Sequence, residues 1–410
     1  MTTPTGSTIK TTCCIIGGGP AGMMLGFLLA RSGVAVTVLE KHKDFFRDFR
    51  GDTIHPSTLE LMHELGLLER LLEIQHSEIS HISACIGDEA VMIADMSHLP
   101  TKAKFVALMP QWDFLNFLAA EAAKFPSFRL LTQHEATGLI EKDGITTGVV
   151  AKTPEGTVEI AATLTVGCDG RHAVSRSAAH LPIVDEGVPI DVLWLRLPRH
   201  QSDPENGLGY INYGRLMVLI NRLDYFQVAY IIAKDGFAEI QRDGLSAFQQ
   251  SITRIVPFLA DRVAEIDSWD KVKLLTVQVN RLTQWSSPGL LCIGDAAHAM
   301  SPVGGIGINI ALQDAVATAN MLTDALLSNA LTPHHLDQVQ HYREGAVRRT
   351  QRMQVFAHKI LNRVLHSTGP VKIPLIMRIL TRLPGFKYLT ARFIGMGLQP
   401  QHIRTQAKSL

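Results

Sequence analysis

The run Thr11-Thr12-Cys13-Cys14-Ile15-Ile16-Gly17-Gly18-Gly19-Pro20-Ala21-Gly22, with Glu40 lying 18 residues beyond Gly22, decides the fold. Thr11–Ile16 is a short apolar and β-branched run of the kind that forms a buried parallel strand. Gly17–Pro20 breaks it, and Ala21–Arg31 continues with helical apolar spacing to a Ser32-Gly33 stop. Val34–Leu39 is a second strand that ends in Glu40. The three pieces make a βαβ unit, so a parallel sheet begins the chain. Gly17, Gly19 and Gly22 satisfy G-x-G-x-x-G: the first permits a tight turn, the second lets backbone approach a pyrophosphate, and the third lets helix and strand sit close. A helix opening at Pro20 and Ala21 offers free N–H groups and the positive end of its dipole to phosphates. Glu40, with Lys41 beside it, stands where a carboxylate accepts both hydroxyls of a ribose and disfavours a 2′-phosphate. A glycine loop alone is a weak signal. With strand, helix and terminal acid all in place, it indicates a tightly bound dinucleotide that is not NADP.

Outward from this corner, a polar and aromatic connection, Lys41–Arg50, leads to a predicted helix over Pro56–Leu72. Gln111–Lys124 reads as another helix, followed by strands near Phe128–Leu131, Gly138–Lys142, Thr146–Lys152 and Val158–Val166. Residues 183–281 alternate as strands rich in Tyr and Trp, Leu290–Ile293 returns to a buried-strand pattern, and the chain is mostly helical from Gln313. The predicted class is α/β: a Rossmann-like nucleotide-binding domain (1–75, 109–182 and 282–340), an inserted β-sheet domain (76–108 and 183–281), and a basic C-terminal helical segment, 341–410.

The chain of 410 residues, 46% hydrophobic and 19% charged, is long enough to bury a core without disulfides or metals and is too apolar to be disordered. A net charge of +1 does not point to nucleic acid. Charge is uneven, however. Residues 341–410 carry 13 Lys and Arg against the single acid Glu344, a net of +12, which leaves the rest at −11. Such a segment either docks on the acidic body or meets an anionic partner, such as a membrane surface or a phosphate-bearing cosubstrate. Five cysteines without a CxxC spacing read as thiols, and no metal-ligand spacing of His or Cys occurs. The N-terminal residues lack an apolar signal core and no run of 18 apolar residues occurs, so a cytoplasmic protein is expected.

Two later motifs specify the dinucleotide. Gly167-Cys168-Asp169-Gly170-Arg171-His172-Ala173-Val174-Ser175-Arg176 resembles the DG fingerprint of flavoprotein aromatic hydroxylases. Cys292-Ile293-Gly294-Asp295-Ala296-Ala297-His298-Ala299-Met300-Ser301-Pro302 resembles their GD fingerprint, and it runs on into Gly304-Gly305-Ile306-Gly307-Ile308-Asn309. The three motifs stand in that family's order and spacing. The chain is similar to the class A, single-component FAD-dependent monooxygenases of the p-hydroxybenzoate hydroxylase fold, and looks like their ubiquinone-biosynthesis-hydroxylase and aromatic-hydroxylase branches. The residues carry their own reasons. Asp295, ending a buried strand, can bind the ribityl hydroxyls that only a flavin supplies. Pro302, Gly305, Ile306, Gly307, Ile308 and Asn309 form a turn into a helix whose N–H groups can meet the pyrimidine edge, where charge accumulates on reduction.

The resemblance implies further roles. Arg50 would reach FAD phosphates or ribose, Gly51–Thr53 would lie beside the isoalloxazine, Gln111 would contact the ribityl region, and Asp169 would stand near the pyrophosphate. Arg176 and His298 read as organisers of their loops. It also implies NAD(P)H as a transient cosubstrate without a Rossmann domain of its own, and hydroxylation of an aromatic or polyketide-like substrate through a flavin C4a-hydroperoxide. Trp194, Tyr210, Tyr213, Tyr225 and Tyr230 are aromatic candidates for the substrate site, with Arg196, Arg215 and Arg222 for an anionic substrate; each also reads as ordinary sheet packing. Competing readings are a reductase or oxidase acting on an isoprenoid-like substrate, and a flavin-binding sensor. A halogenase is disfavoured because W-x-W-x-I-P is missing.

Overall fold

In the computed structural model, residues 8–46, 53–204, 208–367, 369–373, 375–383 and 385–408 are described. The opening strand, Thr8–Ile16, lies parallel to Val36–Glu40 on one side and to Gly156–Gly167 on the other, and the sheet extends in parallel to Phe128–Thr132 and Leu290–Cys292. The hairpin Glu135–Lys142 and Ile145–Thr153 adds antiparallel to Gly156–Gly167. Register puts Ile16 opposite Leu39 on one side and Gly167 on the other, so three chain segments leave the sheet together at Gly17, Glu40 and Cys168.

Helix α1 (Pro20–Arg31) is buried from Ala21 through Ala30, as a helix that is apolar all round must be. Helices α2 (Pro56–Glu64) and α3 (Leu68–Leu72) replace the single predicted helix over 56–72. The break is at Gly66, whose φ of +70° ends a helix at little cost to glycine. Helix α4 (Gln111–Ala122) packs against α1, and the short α5 (Val174–Ala178) follows the Cys168-Asp169 turn.

A second sheet of seven strands runs in the order Lys273–Leu275, Ile190–Pro198, Tyr225–Ala233, Arg215–Asn221, Leu208–Asn212, His81–Ile86 and Glu89–Asp95. Its two faces follow from strand alternation. Leu193, Leu195, Val228 and Tyr230 pack outward against Phe248, Ile252 and Ile255 of α7 (Leu245–Ile255), which follows α6 (Phe237–Asp243). These two helices depart from the strands expected over 183–281, and Phe248, Ile252 and Ile255 carry the helical spacing of α7. The opposite face carries Val192, Trp194, Val218, Ala229 and Ile231, packed with Val303, Leu361 and Leu365.

Helix α8 (Gly307–Leu327) begins six residues before the predicted Gln313. Helix α9 (Pro333–Leu365) starts with Pro333 in its first turn and a reciprocal cap between Thr332 and His335, then runs unbroken through residue 341. Helices α10 (Leu375–Arg382) and α11 (Phe386–Met396) complete the set. The last described stretch folds back over the first sheet's helices: Lys408 N donates to Arg31 O (2.9 Å), Arg404 N to Asn320 Oδ1 (2.9 Å) and Ile403 N to Glu64 Oε2 (2.7 Å). Among the described residues no helix is long and apolar enough to cross a membrane, and no group of three metal-ligating side chains occurs. All five cysteines are free.

Candidate active site

The nucleotide corner is closed by backbone against backbone. Gly17 sits at φ +104°, and a Cβ there would lie 2.5 Å from Cys168 O. A Cβ on Gly22 would lie 2.0 Å from Gly17 O, which is why helix and turn can touch only without side chains. Gly19 differs: nothing stands within 4 Å of its Cβ position, and it is the N-cap of α1 with no side chain capping the helix. That open ground before uncapped N–H groups is the shape a pyrophosphate needs. Glu40 is buried and its carboxylate accepts from Gly18 N (3.2 Å) and His42 N (2.9 Å), which holds it at the mouth of the turn. Lys41 is exposed beside it. Arg50, Gly51 and Asp52 lie outside the described residues.

The middle of the cradle is built by Asp169, Arg171, Arg176 and Asp295. Asp169 accepts from Ser175 N (3.0 Å) and Ser175 Oγ (2.6 Å), tying the end of its strand to the start of α5; burial raises its pKa and the Ser175 bonds oppose that. Its Cα lies 3.0 Å from the Gly17 Cβ position, so the first and second motifs adjoin. Arg176 donates to Ala296 O (3.3 Å) and to Arg171 O, knitting the second motif to the third. Asp295 is 32% exposed, and Arg171 donates to its Oδ2 at 3.2 Å. A Cβ on Gly294 would lie 3.3 Å from Ala21 Cβ, which brings the third motif onto the first turn of α1.

Asp314, on α8 behind this loop, is fully buried. It accepts from Gly294 N (3.1 Å), His298 Nε2 (2.6 Å) and Arg343 Nε (2.8 Å). Burial pushes its carboxyl pKa up, and His298 and Arg343 outweigh that to hold it below the usual range. Since an ionised carboxylate only accepts, Nε2 of His298 carries a proton there.

The far end of the cradle joins segments about 250 residues apart. Gly304 and Gly305 take φ of +83° and +64°, and α8 then opens at Gly307 with no side-chain cap and no acid in its first turn. Thr53 Oγ1 donates to Gly305 O (3.2 Å). Asn309 Oδ1 accepts from His55 N (3.2 Å) and Thr58 Oγ1 (2.7 Å). His55 is buried, with Nδ1 donating to Ile394 O at 2.7 Å, and burial pushes its pKa down to about 4. The Asn309 side chain therefore faces α2 and leaves the helix N–H groups for a ligand. Gln111 opens α4, partly exposed, with Trp112 beside it against Phe46 (ring centroids 4.9 Å).

These residues fit FAD. Gly17, Gly19, Pro20, Ala21, Gly22 and Glu40 would hold the adenosine and pyrophosphate, Asp295 the ribityl chain, and the Pro302–Asn309 turn the ring. Sequence reasoning missed Thr53 and His55 as partners of Gly305 and Asn309, and Asp314 with Arg343 as the support of the third motif. Buried polar residues inside α8 and α9 were the available signal. Of the substrate candidates, Trp194 lies on the sheet face that packs with Val303, and its Nε1 is buried without a partner among the described residues. Tyr210 and Tyr230 pack with the opposite face, under α7. Arg196 stacks over Tyr225 (4.9 Å), and Arg254 over Tyr213 (4.2 Å).

Fold and cradle together define a flavin-dependent oxygenase, and the chain belongs to the family of FAD-dependent aromatic monooxygenases of the p-hydroxybenzoate hydroxylase fold. Residues 10–354 match the family described as FAD binding domain. The 6-methylpretetramide 4-monooxygenase of Streptomyces rimosus is 30% identical over 404 residues, spanning 96% of this chain and 94% of that protein. The p-hydroxybenzoate hydroxylase of Acinetobacter baylyi is 25% identical over 369 residues, 87% of this chain and 83% of that one. In fold, the anhydrotetracycline hydroxylase OxyS from Streptomyces rimosus superposes with a TM-score of 0.73 at 20% identity, covering 94% of this chain and 76% of that one.

Proposed function

We propose that this chain hydroxylates a multi-ring aromatic, polyketide-like substrate, with NAD(P)H as reductant and O₂ as oxidant. Bound FAD would supply hydride acceptance from NAD(P)H and activation of O₂. The observation that carries the reading is the apolar face of the second sheet, where Val192, Val218, Ala229 and Ile231 surround Trp194 beside the Val303–Gly305 turn. Val303 of that turn packs against this face beside Leu361 and Leu365 of α9, and Trp194 Nε1 is buried on it without a partner among the described residues. Leaving such a donor buried and unpaired costs about 1–3 kcal/mol, which a substrate carbonyl or hydroxyl would recover if binding displaces the α9 side chains that cover it. The relative at 30% identity, named for a pretetramide, is consistent with a ring system of that size.

The chain's own residues divide the work. The uncapped first turn of α8 would offer its N–H groups to the pyrimidine edge of the flavin, where they would favour negative charge. Asp295 would orient the ribityl chain, and the second sheet would help exclude water from the reacting ring. The test is aerobic oxidation of NADH and NADPH by FAD-loaded protein, with and without polycyclic phenols, under ¹⁸O₂. Oxidation accelerated by one such compound, with one labelled oxygen in its product, is the expected result. A reduced or dehydrogenated product without label would replace the reading with the reductase or oxidase alternative.

A further inference from the structure

Residues 341–410 combine a net charge of +12 with apolar side chains that the fold does not cover. On α10, Leu375 (73% exposed), Ile379 (54%) and, just past its end, Leu383 (51%) recur every four residues and so share one side of the helix. Leu389 of α11 is 70% exposed. Lys372, Arg382 and Arg392 are exposed around them and form no ion pair among the described residues.

The inner side of α11 is packed on the body of the protein. Ala391 and Met396 of α11 already pack inward on Met96, Leu99 and Val106. Arg378 pairs with Glu89, and Lys387 with Asp95 (2.8 Å), tying the helices to the edge strand of the second sheet. A shallow pocket of about 280 Å³, lined by His98, Leu99, Tyr388, Leu389 and Arg392 among others, opens on the same side of α11 as Leu389.

We propose that the outer side of α10 and α11 docks on an anionic lipid bilayer, with Leu375, Ile379, Leu383 and Leu389 entering the headgroup–acyl boundary and Lys372, Arg382 and Arg392 contacting lipid phosphates. Apolar residues flanked by Lys and Arg are the composition of an interfacial helix, which lies in the membrane plane and does not span it. Charge selects the occupant. A second copy meeting this face would oppose like charges, whereas an anionic surface attracts it. The remaining chain, at a net of −11, is repelled by the same surface, so only one orientation is favoured. A docked enzyme would collect lipophilic ring compounds from the bilayer rather than from water.

The test is co-sedimentation of the FAD-loaded protein with phosphatidylcholine vesicles containing or lacking phosphatidylglycerol, at low and high salt, alongside its solution mass by light scattering. It does not depend on the substrate being known, so its failure is separable from failure of the hydroxylase reading. Expected is partition onto the anionic vesicles that high salt reverses. Replacing Leu375→Gln, Ile379→Gln and Leu383→Gln together should lower partition roughly tenfold or more. Removing Lys372 or Arg382 should lower it roughly fivefold each. Unchanged circular dichroism and flavin absorbance would show that the variants remain folded. No partition, equal partition onto neutral vesicles, or a dimer in solution that the leucine substitutions dissociate would overturn the proposal.

Discussion

The two ends of the flavin cradle are built in opposite ways. The nucleotide end is continuous chain, Thr8 to Glu40, joined to Cys168 by backbone contacts that glycine alone allows. The ring end has almost no local structure of its own. Gly305 and Asn309 are placed by Thr53, His55 and Thr58 from one segment, and His55 in turn by Ile394 from another. Between them, the third motif is held from behind by Asp314, His298 and Arg343, a buried polar cluster drawn from α8, α9 and the loop itself. One end resists change because there is no room in it. The other depends on long-range polar contacts that are costly when left half made.

The largest expected effect tests the polar cluster. Asp314→Ala would leave Arg343 and His298 buried without their carboxylate, at a cost of about 4 kcal/mol in urea unfolding of the FAD-loaded protein. A loss below about 1 kcal/mol would show that the loop is held by packing and would break the contrast.

Next in size, Gly22→Ala forces a Cβ to within 2.0 Å of a backbone oxygen. It should cost about 3 kcal/mol and leave the purified protein without flavin absorbance at 450 nm. A yellow, stable Gly22→Ala protein would mean that the nucleotide end yields as readily as the ring end.

Acid sharpens the comparison at His55. Its folded pKa, about 4, lies below its ordinary 6.5 because burial disfavours the charged ring. The unfolded chain therefore binds the proton first. The stability this residue contributes is complete above pH 6.5 and is lost as pH falls through about 4, by about 3 kcal/mol at most. Thermal unfolding of the native protein and a His55→Asn variant across pH 7 to 4 should show the gap between them narrowing with acid. A constant gap would assign His55 no role in the acid sensitivity of the ring end.

The predicted helix over 56–72 shows where local reading stopped short. Its apolar spacing continues through Gly66, but the positive φ at that glycine ends α2 and starts α3 as a separate helix, while the N-terminal end of α2 binds Asn309. The two helices within 183–281 were hidden because the surrounding alternation argued for strands, although α7 carries Phe248, Ile252 and Ile255 on one side. The family fingerprints point to Asp169, Asp295 and the Pro302–Asn309 turn as parts of one cradle. They did not reveal that the Asn309 side chain points away from it, or that Asp169 binds Ser175.

By itself the sequence determined the βαβ opening, the glycine turn with Glu40, and the order of the three motifs, because these rest on backbone geometry and on contacts between neighbours in the chain. Only the tertiary structure decided which residues support the ring end, which face of the second sheet looks onto it, and which leucines near the C-terminus stay uncovered. Those outcomes depend on burial and on contacts between segments hundreds of residues apart, and no local pattern of residue types encodes such distances.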